Sequence, residues 1–175
     1  MTELKQEMIQ SVMRGLKSVG IKYEFDEDEN VFRFGRSLTK GFFIVKYIVL
    51  ARSSDYVVRS SSPLDCKIDD AQKTAEAARL VALINRSLPR GNFEIDADDG
   101  ELSFRHCVEC TGLESPPSEF ILSAIAIHQS MWERYSPCLV HLLTTQSEAE
   151  DALKLQANVS EPNFKLAFAK SEDDD

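Results

Sequence analysis

The chain has 175 residues, enough for one domain with a proper core, and its 43% hydrophobic and 28% charged residues are ordinary for a globular protein. Acidic residues outnumber basic ones 29 to 20, a formal charge of −9, so the long-range field opposes phosphate backbones and anionic membranes. No window approaches eighteen consecutive apolar residues and the first residues are polar and acidic, which excludes a membrane span and a signal peptide and predicts a cytoplasmic protein.

Residues 3–19 place Leu4, Met8, Val12 and Leu16 four apart, an amphipathic helix that Gly20 terminates. Ile21, Tyr23 and Phe25 alternate with polar residues as a first strand, and Asp26–Asn30 turns the chain into a second, Val31–Phe34. The third, Phe42–Leu50, is apolar almost throughout, which predicts a central strand covered on both faces, one of them by a second subunit. A fourth begins at Tyr56-Val-Val58, and Ser60-Ser-Ser-Pro63 reads as its end.

A second helix follows, capped by Asp69 or Asp70, with Ala77, Leu80, Val81, Ile84 and Leu88 on one face and Pro89 closing it. In Gly91–His106, Phe93, Ile95 and Ala97 alternate with polar residues, Asp99-Gly100 turns, and Leu102 and Phe104 resume the alternation. That is a hairpin signature, because Asp-Gly readily takes the positive φ of a tight turn.

Ser115-Pro116 opens the third helix as cap and first-turn proline. Phe120, Ala124, Ile127, Met131 and Tyr135 line one side; Ile121, Ile125, His128 and Trp132 line an adjacent one. Two apolar faces exceed what one sheet covers, so a homodimer through the helix around Trp132 is expected. Pro137 should kink or end this helix, and a short fourth helix is expected within 146–155. The boundaries are a single domain at 1–157 and a mobile acidic tail at 158–175, in which Phe164, Leu166 and Phe168 alternate as an edge strand would, to dock on its own domain or, as the alternative, on a partner.

Chemistry-bearing motifs are weak. Cys107-Val-Glu-Cys110 and Cys138-Leu-Val-His141 have ligand types and spacing that tetrahedral zinc uses. Against zinc, residues three apart on a strand face opposite sides, and no knuckle glycine accompanies either pair. Four cysteines are too few and too irregular for a disulfide framework. Asp96–Gly100 fails as a calcium loop, with glycine at position five and Cys107 at twelve. Lys40–Tyr47 partly matches an RNA-recognition strand, but Ile44 stands where a stacking aromatic belongs, and a buried strand is the better reading. His128 lies on an apolar helical face and reads as a hydrogen-bonded core residue. His106, His128 and His141 lack a nucleophile in any recognisable motif, so no catalytic residue, cofactor or metal is assigned, and an enzyme is not expected.

The run from Leu80-Val-Ala-Leu-Ile-Asn-Arg86 through the Gly91–Arg105 hairpin to Tyr135-Ser-Pro137 resembles the YbjN family. The resemblance spans about residues 3–143 and rests on structural motifs. It implies a type III secretion chaperone-like α+β fold, an antiparallel twisted sheet with packed helices in the order α-β-β-β-β-α-β-β-α, often dimeric. It also implies a sensory-transduction-regulator label without defined chemistry. The expected function is a non-enzymatic protein-interaction module, chaperone-like or regulatory, binding an unidentified protein through an apolar groove or sheet edge. A small-ligand-binding sensory domain is the alternative.

Overall fold

The computed structural model describes residues 3–38, 43–66 and 70–157. Helix α1 (Glu3–Ser18) leads into strands β1 (Glu24–Asp26), β2 (Val31–Ser37), β3 (Ile44–Ala51) and β4 (Asp55–Asp65). Helix α2 (Ala71–Asn85), strands β5 (Asn92–Ile95) and β6 (Glu101–Glu109), and helices α3 (Glu119–Thr144) and α4 (Ala149–Leu153) follow. The six strands form one antiparallel sheet ordered β1-β2-β3-β4-β6-β5. The fold is therefore α+β, with the expected element order and α4 appended. The tail assigned to 158–175 lies outside the described residues, as does Asp69.

Helices cover one face of this sheet. α1 packs on β3 and α3, α3 on β4 and β6, and α2 on β5 and α3. Strand periodicity then decides which residues are buried: Phe32 and Phe34, Val45, Tyr47 and Val49, Tyr56 and Val58, Phe93 and Phe104 all point towards the helices. Within the chain only this face of β3 is covered. Ile44 is 59% and Ile48 40% exposed. Aliphatic residues also occupy the outer positions of this strand, where guanidinium groups share the surface. Arg33, Arg59 and Arg105 are paired there with Asp26 and Glu29, with Glu101, and with Glu94.

β4 also runs on past its predicted end. Ser60, Ser62 and Pro63 lie within it, with the register against β6 shifting between Ser61 and Asp65, an irregularity that accommodates the proline. The β5–β6 hairpin forms, but not with a two-residue turn. Asp96 N donates to the Glu101 carbonyl at 3.0 Å and Gly100 N to the Asp96 carbonyl at 2.9 Å, so Ala97–Gly100 make the loop and Ala97 is exposed. In that loop Gly100 takes positive φ, at 77°, and Asp99 does not.

Asp70 is the cap of α2, its Oδ1 accepting from Lys73 N at 2.9 Å. α3 starts three residues later than Ser115-Pro116 would place it. Pro117 forces Pro116 out of the helical region, so the helix begins only beyond them, and Ser115 Oγ instead donates to Glu7 Oε2 of α1 at 3.0 Å. Pro137 does not end α3: its ring is exposed on the outer surface while Cys138, Leu139 and Leu142 are buried around it, holding the last turns in place. One apolar side of α3 is covered within the chain and the other only in part. Ile121, Ile125 and Trp132 are 0% exposed, leaving Phe120, Ile127 and Met131 partly buried. Trp132 itself is fully covered within the chain. No helix among the described residues is long and apolar enough to cross a membrane.

Candidate functional site

Among the described residues, two places concentrate polar groups that the fold does not consume. The first is an open edge of the sheet. β6 has nine residues and β5 only four, pairing from Ile95↔Leu102 to Asn92↔Arg105. Gly91 immediately precedes β5 there. It sits at φ 69°, and a Cβ on it would fall 2.5 Å from Phe104 Cζ and 2.7 Å from the Arg105 carbonyl oxygen. Only glycine lets the chain pass this close while turning onto the edge.

Beyond Arg105 the hydrogen-bond parity of β6 is fixed on both sides. Glu101 bonds towards β5, through Asp96 N, and Cys110 bonds towards β4, its N donating to Ser54 O at 2.7 Å. Antiparallel strands alternate, so the N–H and C=O groups of Cys107 and Glu109 point outward along the edge where β5 is missing. Their side chains lie on the open face of the sheet and are exposed, whereas His106 and Val108 lean towards α3. α3 supplies the opposite wall with Phe120, Ala124 and Ile127. The resulting groove has a volume of about 750 Å³, with Arg90 and Arg105 at one end.

The outer edge of β5 is treated differently. Asn85, the last residue of α2, donates from Nδ2 to the Phe93 carbonyl at 2.9 Å and accepts from Phe93 N at 2.8 Å. One side-chain amide thereby satisfies both outward groups of Phe93.

The second place is internal. Ser60 of β4 and His128 and Trp132 of α3 are 0% exposed. Trp132 Nε1 donates to Ser60 Oγ at 2.8 Å, and Oγ lies 2.6 Å from His128 Nδ1. With Oγ accepting from the indole, its own proton goes to Nδ1, which places the imidazole proton on Nε2. Nε2 has no hydrogen-bond partner among the described residues, and neither has the buried hydroxyl of Tyr47, whose ring lies 5.9 Å from that of His128. Burial, with the neighbouring His106, holds His128 well below its ordinary pKa, so it is neutral. Burial and then Arg90 lower His106, whose Nδ1 is likewise buried and unpartnered. Burial raises the hydroxyl of Tyr47. The node replaces an apolar contact inside β4, which is why Ser60 can sit mid-strand. Its sequence signal was absent, since Ser60 and Trp132 are 72 residues apart.

The other singled-out residues are not assembled. Cys107 is exposed on the open face, whereas Cys110 is buried and its Sγ contacts the Val108 carbonyl at 3.7 Å. Cys138 is buried in α3 with Sγ 3.9 Å from the Leu153 carbonyl, and burial pushes its thiol up to about 11. His141 is half-buried in the last turn of α3. No three His, Cys, Asp or Glu side chains among the described residues are grouped to hold a metal ion. In the Lys40–Tyr47 segment, residues 39–42 lie outside the described set. Tyr47 and Phe43 pack inward, Phe43 against Trp132 at 6.4 Å, so neither ring offers an exposed stacking surface.

In class, the chain is an α+β protein with helices layered on one face of an antiparallel sheet. Among solved structures it is similar to the crystal structure of YbjN from E. coli, with a TM-score of 0.46 and 10% identity over 69% of this chain and 82% of that one. This is the family its sequence pattern resembles, and the similarity concerns fold alone. No family model matches the chain, and no curated protein does.

Proposed function

We propose that this chain is a non-enzymatic protein-interaction module, chaperone-like or regulatory, that accepts an extended segment of another protein along the free edge of β6. The observation that supports it is the outward pair of backbone groups at Cys107 and Glu109, set beside an apolar wall from α3. Added strands gain affinity from main-chain hydrogen bonds and selectivity from pockets under alternate side chains, and this groove supplies both. The test uses hexapeptides of alternating apolar residues selected by display against the whole chain. Cys107→Pro deletes the outward N–H without touching a bond to β4, so the fold survives. Peptide affinity should fall at least tenfold with the melting temperature nearly unchanged. Equal affinity for both chains would refute the edge reading.

A further inference from the structure

We infer that the segment this edge accepts is the carboxyl-terminal end of a partner protein, running antiparallel to β6, with its terminal carboxylate at the Cys107 N–H beside Arg90 and Arg105. The inference rests on the reading of β6 as a strand-accepting edge and adds the partner's direction and chemistry. Three observations carry it. First, the line along β6 is blocked at one end. Asn92 of β5 already pairs with Arg105, and Gly91 and Arg90 border the groove at the same point. An antiparallel newcomer enters at the Glu109 end and runs towards this block, so its last free hydrogen-bonding place lies opposite Cys107. The middle of a chain would have to swing out of the sheet there, whereas a chain that ends simply stops. Second, the blocked end is cationic and poorly matched within the chain. Among the described residues Arg90 makes no ion pair, and Arg105 reaches only Glu94, at 3.9 Å. Burial and then the charge of Arg90 lower the pKa of His106 in the groove wall, so this field reaches inside. Glu109 stands at the other end. Antiparallel entry brings a carboxylate to the arginines, whereas parallel entry would bring an amino terminus to them and the carboxylate to Glu109. Charge and blockage therefore select the same direction. Third, the outward groups suit a chain end. Opposite Cys107, the outward N–H donates to the carboxylate, a charge-assisted bond, and the outward carbonyl accepts the last N–H. Two residues earlier the segment exchanges the same pair of bonds with Glu109. Directly opposed residues share a face, so the last and third-from-last side chains lie on the open face with Cys107 and Glu109. The penultimate side chain drops against Phe120, Ala124 and Ile127. The matching terminus is therefore apolar at its penultimate residue and basic at the third from last, opposite Glu109.

The test selects hexapeptides against the whole chain from two display libraries, one ending in free carboxylates and one holding the hexamer inside a longer chain. The best binders are then synthesised both as acids and as C-terminal amides. Binders should come from the free-ended library, with Lys or Arg enriched third from last, and each acid should bind at least tenfold more tightly than its amide. Arg90→Gln and Arg105→Gln should each cut that ratio at least threefold, and Cys107→Pro should weaken the acid at least tenfold. Both arginines are exposed, so their variants should keep the melting temperature of the original chain. If acids and amides bind equally while Cys107→Pro weakens both, the terminal carboxylate is overturned and the edge reading stands. An equal yield of binders from the internal library has the same meaning. Decanoate competing as well as the best acid would make the groove a site for anionic amphiphiles and overturn the inference. So would a dimer that acid and amide dissociate equally, the mark of a second copy's edge on this one. If acid binding needs the arginines but survives Cys107→Pro, the carboxylate sits off the strand line and the edge reading falls too. If neither library yields a binder, the edge reading itself fails.

Discussion

Acidification tests the buried His128–Ser60–Trp132 node directly. His128 is fully buried and neutral, its pKa held well below 6.5 mainly by burial and then by His106. In the unfolded chain it returns to about 6.5. As pH falls through that value the unfolded state binds a proton that the folded state does not. The stabilisation is therefore complete above the unfolded pKa and drains away below it, by about 1.4 kcal/mol for each further pH unit. Between pH 7 and pH 5 the integrated loss is about 1.9 kcal/mol from this residue alone. His106 and the carboxylates also titrate, so the comparison must remove them. His128→Asn retains an amide opposite Ser60 Oγ and cannot titrate, while every other group is shared. Urea unfolding of both chains at the two pH values gives a double difference, and the original chain should lose about 2 kcal/mol more than the variant. A double difference below about 0.5 kcal/mol would mean that His128 is not held neutral, and the assignment of its proton to Nε2 would fall with it.

Three further outcomes follow from local geometry. Asn85→Ala strips both outward bonds from Phe93 and should cost about 2 kcal/mol in thermal unfolding, whereas a change within about 0.5 kcal/mol would show the amide to be dispensable. Gly91→Ala drives a Cβ against Phe104 and the Arg105 carbonyl at positive φ, and should cost about 2–3 kcal/mol by urea titration. Of the four thiols only Cys107 is exposed, so a maleimide should label one cysteine rapidly in the folded chain and Cys66, Cys110 and Cys138 only on unfolding. Rapid labelling of Cys138 would contradict its burial and its raised pKa.

Much of this fold is legible in the residues because its signals are local. The stripe Met8, Val12, Leu16 needs only a 3.6-residue period, and Asp70 needs only the Lys73 amide three positions on. Signals that fail are those whose partner is distant. Ser60 reads as a turn residue because nothing nearby reveals that Trp132 and His128 will satisfy its hydroxyl inside the sheet. Pro137 reads as a helix stop, and becomes tolerable only because its ring faces outward while Leu139 and Leu142 anchor the turn beyond it. α3 carries two apolar faces, and which of its residues α1, α2 and α4 cover is a tertiary fact that its periodicity does not hold. The hairpin is visible, but the candidate edge is not. Its openness depends on β5 being shorter than β6, and hence on where Gly91 brings the chain onto the edge.

Asn85 has a consequence for assembly. A carboxamide carries the same donor–acceptor pair as a peptide group, so the helix end contributes, in effect, one residue of a seventh strand and then stops. A foreign strand growing along β5 would have to expel that amide from Phe93 before pairing. Runaway templating, the route by which exposed sheet borders seed fibrils, is blocked at this border by a single side chain. Among the described residues, the stretch of β6 beyond β5 presents the outward groups of Cys107 and Glu109, too short a border to propagate a cross-β stack.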